Sequence, residues 1–158
     1  MLAAAADPRF AGFMRVCLAT GARYLELLKV TWEGIDYSDP DKASVYIPAG
    51  PKHKGRRVPI DRPLAEMLKR MYALSPMDSG PWTFWTPKEI DTRLRSTAAA
   101  AGLRNLKPDD LSRTRVVRWI RAGMRSKAVR SLSGLSENAV RAYRARAAWL
   151  DGGKGGAA

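Results

Sequence analysis

Apolar residues recur at helical spacing in the first stretch of the chain, and this pattern has a clear start and end. They are Phe10, Phe13, Met14, Cys17 and Leu18. Intervals of three and four residues place them on one face of a helix. Asp7 and Pro8 are typical of an N-cap and a first helical turn, and Gly21 is typical of a helix end. The pattern therefore predicts a helix that ends at Gly21, followed by a second helix from about residue 22 to residue 31.

Short β-branched runs interrupt the helical pattern in the middle of the chain. Residues 45–47 and 57–60 are predicted to be two strands, and the basic loop of residues 50–55 joins them as a hairpin. Further helices are predicted from residue 61, from residue 86 to about residue 101, and over residues 111–122, 126–133 and 136–149. The fold class is therefore mainly α with a small antiparallel β-hairpin or sheet (α+β).

Composition and charge narrow the possible partners. The chain has 158 residues, 46% of them hydrophobic, and a formal net charge of +13. Such a balance favours a globular protein with a polyanionic partner, and nucleic acid is the leading candidate. No apolar run approaches 18 residues, so a membrane is not the expected partner. The single cysteine, Cys17, excludes an internal disulfide and a Cys-rich metal site, and its apolar surroundings predict burial. Residues 1–6 do not form a convincing signal peptide, so a cytoplasmic, nucleoid-associated location is expected.

One stretch of the sequence carries a specific motif. Residues 20–36 read TGARYLELLKVTWEGID, which resembles the first conserved box of tyrosine recombinases, the phage-integrase family. The resemblance spans about residues 8–146 and implies an integrase catalytic-domain-like fold. It also implies that Arg23 grips the DNA phosphate that is cut. A position at the start of a helix suits anion binding, while the structural alternative is a surface pair with Glu26 or Asp36.

The predicted hairpin carries the second match to this family. Residues 52–60 read KHKGRRVPI, and the resemblance implies that Lys52 protonates the leaving 5′ oxygen. The loop is one residue shorter than the family pattern, so Lys54 is the alternative. Arg56 and Arg57 are expected to contact DNA with Lys54. His53, the only histidine, is expected to be a solvated residue of a basic turn and not a metal ligand.

The third match departs from the family pattern H-x-L-R-x-T. Residues 107–114 read KPDDLSRT, with Asp109 at the histidine position, Ser112 at the arginine position and Arg113 one place later. A helical wheel aims Arg113 inward with Val116. From there it would either reach the phosphate or pair with a neighbouring aspartate as a purely structural residue.

The last match places a tyrosine at the position of the family nucleophile. Residues 132–143 read LSGLSENAVRAY; Tyr143 is the candidate nucleophile, and Gly134 stands at the histidine position. A tyrosine packed on the core is the structural alternative. The same segment also resembles a helix-turn-helix, in which Arg141 and Arg144 would contact DNA.

Basic residues are concentrated in the last third of the chain. Spacings of three and four place four arginines on one side of a predicted helix: Arg115, Arg118, Arg121 and Arg125. An amphipathic helix of this kind is suited to following a phosphate backbone.

The resemblance implies a recombinase that cleaves and rejoins double-stranded DNA for site-specific recombination or integration, with no metal or nucleotide cofactor. The degenerate site predicts impaired catalysis. The alternative is a non-catalytic DNA-binding regulator or accessory factor of a mobile element. An RNA-binding protein is the third class, supported only by the aromatic residues Trp82, Phe84 and Trp85, which are more typical of a core. Residues 1–150 are interpreted as the catalytic domain without the usual core-binding domain, and residues 151–158 as a flexible tail. Self-association on DNA, or partnership with a complete recombinase, is expected.

Overall fold

The computed structural model describes residues 7–51 and 53–152, with side chains up to residue 149. The helices are α1 (Pro8–Thr20), α2 (Tyr24–Leu27), α3 (Arg62–Leu74), α4 (Pro87–Ala100), α5 (Pro108–Arg121), α6 (Ser126–Ser133) and α7 (Glu137–Gly152). The strands are β1 (Ile35–Asp36), β2 (Ser44–Ile47) and β3 (Arg56–Pro59). The prediction of a mainly α fold with a small antiparallel sheet is confirmed.

The start of α1 follows the local chemistry of the sequence. Asp7 Oδ1 accepts a hydrogen bond from the backbone N–H of Arg9 at 2.8 Å, which caps a helix that has Pro8 in its first turn. At the other end, Gly21 adopts φ 65°. A Cβ at Gly21 would lie 3.1 Å from Cζ3 of Trp119 in α5, so the absence of a side chain allows the end of α1 to approach α5 closely.

The sheet is a three-stranded antiparallel meander in the order β1-β2-β3. Val45 in β2 pairs with Ile35 in β1 and with Val58 in β3. All three side chains are buried in the main core. Strand β1 was not predicted, because two residues are too short to show an alternating pattern.

The second predicted helix is much shorter in the structure. Helix α2 ends at Leu27 and is followed by a 3-10 turn at Trp32–Gly34. Val30, between these elements, and Trp32, at the start of the 3-10 turn, are buried, and the backbone N–H of Trp32 donates to the Ser79 carbonyl at 3.2 Å. Tertiary packing of these two side chains has replaced the continuous helix that the apolar spacing favours.

The apolar residues form two clusters. The larger lies among α1, the sheet, α3 and α4, and includes Trp82 and Trp85. Trp82 and Trp85 are both buried, which confirms them as core residues, whereas Phe84 is 47% exposed. The smaller cluster joins α5, α6 and α7. Within the described part of the chain, no helix combines the length and the apolar character that a membrane span requires.

Candidate active site

Arg23 lies in the turn between α1 and α2. Its backbone N–H donates to Glu26 Oε2 at 2.7 Å, while its side chain is exposed. The backbone is therefore fixed by a buried carboxylate, and the guanidinium projects from that fixed point.

Arg113 is on the first turns of α5, but its side chain does not point inward. It is 55% exposed, and Nη1 donates to Asp110 Oδ1 at 3.2 Å. The expectation of an inward arginine was wrong because Ser112 and Val116, one helical turn apart, are the residues that face the core. Arg113 is thus paired with a neighbouring aspartate, as the structural alternative described.

Tyr143 lies on α7, with its side chain half-buried. Its ring packs against the smaller apolar cluster, which includes Val116 of α5 and Val140 of α7. This packing fixes the ring while one side of the residue lines a cleft.

A small cleft of about 130 Å³ brings three of the predicted catalytic residues together. We call it the Tyr143 cleft, and its lining consists of Gly21, Arg23, Asp109, Ser112, Arg113, Val116, Ser133, Leu135 and Tyr143. The fourth predicted residue, Lys52, lies outside the described residues. Three members of the lining do not favour an anion, since Asp109 is acidic and Val116 and Leu135 are apolar.

The α6–α7 turn supplies a different wall residue from the one expected. Gly134, which the sequence match places at the histidine position, has φ 70°. A Cβ at this position would lie against Arg56 and His53, away from the Tyr143 cleft lining. Leu135 lines the Tyr143 cleft instead.

A larger and strongly basic cleft adjoins the first. We call it the basic cleft; its lining consists of His53, Lys54, Gly55, Arg56, Lys127, Arg130, Ser131, Gly134, Leu135 and Ser136, around a volume of about 630 Å³. Leu135 belongs to both clefts. Lys54 is exposed here, as a DNA-contacting lysine requires. Lys127 and Arg130 were not singled out from the sequence, since their place opposite the hairpin depends on the packing of α6.

Two residues of the hairpin are placed differently from the expectation. Arg56 was expected to contact DNA, but its side chain is only 6% exposed and binds Glu26, with Nη2 to Oε2 at 2.9 Å. His53 was expected to be solvated, but its side chain is 10% exposed and Nε2 lies 2.7 Å from Glu26 Oε1. Both expectations were wrong because the Glu26 carboxylate binds these side chains inside the protein. Arg57, the next residue of β3, faces the other side of the sheet, where it is exposed and lies over the ring of Tyr46.

The arginines of α5 do not form one uniform exposed stripe. Arg115 is half-buried, with its guanidinium carbon 5.0 Å from the ring centroid of Trp119. With Arg118 and Arg15 it lines a third cleft, which shares no residue with the Tyr143 cleft. Burial, and secondarily the charge of Arg118, lower the pKa of Arg115. Arg121 is exposed at the end of α5. Arg125 is also exposed but lies outside α5, at the N-cap of α6, so it does not continue the predicted stripe.

The two arginines predicted on the last helix differ in their surroundings. Arg144 donates through Nε to Ser126 Oγ at 2.9 Å and through Nη2 to the Met124 carbonyl, so it joins α7 to the turn before α6. Arg141 is exposed. Of these two arginines, only Arg141 has the exposed side chain that the helix-turn-helix interpretation requires.

Glu26 is the residue near the two clefts whose contacts the sequence did not reveal. It appeared there only as a possible surface partner of Arg23, but it is buried and binds both Arg56 and His53. Its spacing of three residues from Arg23, which is typical of a carboxylate that caps the start of a helix, was the available signal.

Comparison with known proteins gives structural matches only. No protein-family model and no curated protein matches the sequence. Among solved structures, XerA recombinase matches with a TM-score of 0.74 and 18% identity, over 95% of this chain and 58% of that one. XerH site-specific recombinase bound to palindromic difH substrate matches with a TM-score of 0.72 and 19% identity, over 86% of this chain and 42% of that one.

A third match involves a catalytic domain alone. The catalytic domain of bacteriophage HP1 integrase matches with a TM-score of 0.67 and 22% identity, over 90% of this chain and 79% of that domain. The chain spans less than two thirds of the XerA and XerH chains. At these identities the matches establish architecture. The chain therefore has the fold of a recombinase and integrase catalytic domain, as its sequence motifs predicted.

Proposed function

We propose that this chain is a recombinase-type domain that binds double-stranded DNA and directs Tyr143 at a backbone phosphate, with reduced catalytic power. The observation that carries the proposal is the common cleft of Arg23, Arg113 and Tyr143. These residues come from three elements that are distant in sequence, and two of them carry the positive charge that a phosphate requires.

The proposed reaction is a transesterification. The phenol oxygen of Tyr143 bonds to phosphorus, the bond from phosphorus to the 5′ oxygen breaks, and the phenol proton passes to solvent. Arg23 stabilises the charge on the non-bridging oxygens. Lys52, or Lys54 as the alternative, gives a proton to the leaving 5′ oxygen. The product is a 3′-phosphotyrosine linkage and a free 5′ hydroxyl, which rejoins by the reverse step.

Reduced activity follows from the composition of the cleft. Arg113 is engaged with Asp110, Ser112 and Leu135 provide no charge, and Asp109 adds a negative charge to the lining. Each missing charge donor costs about 10²–10³ in rate. We therefore propose activity several orders of magnitude below that of a complete site.

A nicked suicide substrate tests the proposal. After attack, the short fragment downstream of the nick is lost, which traps a covalent protein–DNA adduct that a denaturing gel resolves. We expect an adduct with the natural chain and none with Tyr143→Phe. Tyr46→Phe is the matched control, because Tyr46 is also a partly exposed tyrosine but lies on the sheet. An adduct that persists in Tyr143→Phe would overturn the proposed nucleophile.

A DNA-binding regulator is the second candidate function. The open basic cleft with Lys54, Lys127 and Arg130 supports it independently of the Tyr143 cleft. Salt-sensitive DNA binding without any adduct would favour this function. Origin from a mobile element, nucleoid association and self-association on DNA stay predictions for both candidates.

A further inference from the structure

A single buried carboxylate connects the segments around the two clefts. Glu26 is 8% exposed. Its Oε2 accepts from the Arg23 backbone N–H at 2.7 Å and from Arg56 Nη2 at 2.9 Å. Its Oε1 accepts from Arg56 Nη1 at 3.2 Å and lies 2.7 Å from His53 Nε2. Four donors thus use the acceptor capacity of the carboxylate.

Arg56 extends this connection to the turn between α6 and α7. Its Nε donates to the Leu132 carbonyl at 2.8 Å. That carbonyl belongs to the last turn of α6, where carbonyl groups have no partner within the helix. One guanidinium therefore joins Glu26, and through it the Arg23 backbone, to the segment that leads to Leu135.

Gly134, in the turn after α6, lies where a side chain would collide with Arg56. A Cβ on Gly134 would lie only 2.9 Å from Arg56 Nη1 and 3.4 Å from His53 Cγ. Its φ of 70° also favours glycine. The turn before Leu135 therefore packs directly on Arg56 and His53.

His53 has two alternative partners for its second ring nitrogen. Nδ1 lies 3.1 Å from the Lys54 carbonyl and 3.4 Å from Arg56 Nη1. Neutral imidazole with its hydrogen on Nε2 donates to Glu26 and accepts at Nδ1 from Arg56. Protonated imidazole donates at Nδ1 to the Lys54 carbonyl. The ring of His53 thus joins Glu26 to Arg56 or to the exposed hairpin loop.

We propose that Arg56 and His53 are positioning residues that hold the Arg23 turn, the hairpin loop of Lys54 and the Leu135 turn in register. This inference rests on the proposed function for its consequence at DNA, but the cluster itself is independent of DNA. Other charged groups around His53 are Glu26 and Arg56 in the cluster, with Lys54, Lys127 and Arg130 around the basic cleft.

The salt dependence of DNA binding separates positioning from phosphate contact. Each neutralised phosphate contributes about 0.9 to the slope of log affinity against log salt concentration. We expect Arg56→Met to weaken binding of a duplex without changing this slope, and Arg56→Lys to restore part of the affinity. Lys54→Met is expected to lower the slope by about 0.9. Arg62→Met, on the exposed start of α3, is the neutral control. A slope lowered by Arg56→Met as by Lys54→Met would overturn the inference.

Methyl NMR tests the cluster without relying on activity. We expect the methyl resonances of Leu135, assigned by Leu135→Ile, to shift in Glu26→Gln, because Glu26 binds both Arg56 and His53 and the Leu135 turn packs on these two side chains. Glu66→Gln, which changes an exposed partner of Arg62 on α3, is the matched control and is expected to leave these resonances unchanged. Leu135 resonances that stay in place in Glu26→Gln would overturn the inference.

These two experiments also separate the inference from the proposed function. If the chain binds no DNA, the proposed function fails, while the Leu135 shift still tests the cluster. If DNA binds and Arg56→Met proves unfolded, His53→Gln, whose amide retains a donor for Glu26, replaces it in the slope measurement. A lowered slope in His53→Gln would then count against positioning.

Discussion

Arg23 and Tyr143 line one cleft although they belong to opposite ends of the chain. Helix α5 lies between them: Gly21 packs closely on Trp119, and Tyr143 packs in the cluster that contains Val116. The distance between the candidate phosphate ligand and the candidate nucleophile is therefore set by α5.

Ser112→Arg is expected to increase adduct formation on nicked DNA. Ser112 lines the Tyr143 cleft from the buried face of α5. A guanidinium at this position would supply the positive charge that the family pattern has there and this sequence lacks. One positioned charge donor contributes about 10²–10³ in rate, and we expect an increase of about 10²-fold in the gel assay. Ser112→Met, which has a long side chain without charge, is the control. Equal adduct yields from the two variants would contradict the prediction.

Gly134→Ala is expected to destabilise the fold more than Gly102→Ala. Both glycines have nearly the same positive φ, 70° and 69°, so both substitutions carry a backbone cost of about 1–2 kcal/mol. A Cβ at Gly102 meets no atom within 4 Å, whereas one at Gly134 meets Arg56 Nη1 at 2.9 Å. Urea denaturation of the two variants measures the difference. Equal losses in the free energy of unfolding would show that Arg56 moves aside without cost.

Cys17 is expected to make stability fall at alkaline pH. Burial, and secondarily the Glu26 carboxylate, raise the pKa of the Cys17 thiol well above its ordinary value in the folded chain. The unfolded thiol ionises above about pH 8.5, so the unfolded state binds fewer protons there and the free energy of unfolding falls as pH rises.

The expected slope of this alkaline loss is about 1.4 kcal/mol per pH unit for one thiol. Urea titrations between pH 8 and 10.5 measure it as the difference between the natural chain and Cys17→Ala, because other alkaline groups are common to both. Parallel curves for the two proteins would show that the thiol ionises equally in both states.

The aromatic segment before α4 is expected to serve stability. Trp82 is fully buried, and its Nε1 donates to the Arg9 carbonyl at 3.2 Å. Trp82→Ala should cost about 3–5 kcal/mol in the free energy of unfolding. Phe84→Ala should cost less than about 1 kcal/mol because Phe84 is 47% exposed.

Nucleic-acid affinity is the second measurement for these aromatic residues. We expect Phe84→Ala to bind both duplex DNA and single-stranded RNA as the natural chain does. Selective loss of RNA affinity would instead support a base-stacking role for the exposed ring.

Several elements of the fold were readable from local sequence signals. Helix α1 begins after the Asp7 cap and ends at Gly21, and the observed range of α6, Ser126–Ser133, is the predicted one. Local rules succeeded there because capping and glycine geometry act over a few residues. The same rules overextended α2, since the burial of Val30 and Trp32 is a tertiary effect.

The site was predicted less completely than the fold. The sequence motifs singled out Arg23, Arg113 and Tyr143 as candidates, and these three residues line the same cleft. They did not show that Arg56 is buried on Glu26, because a basic run in a hairpin looks the same whether its side chains face solvent or core. The two-residue alternation of β3 placed Arg57 outside and Arg56 inside.

The sequence by itself determined the helix-rich class, the ends of several helices and the positive charge, because each depends on residue type and short-range spacing. Tertiary structure alone decided which cations remain exposed and which are committed inside the protein. A buried carboxylate such as Glu26 captures whichever donors the fold brings within about 3 Å, and that proximity depends on how α2, the hairpin and α6 pack together.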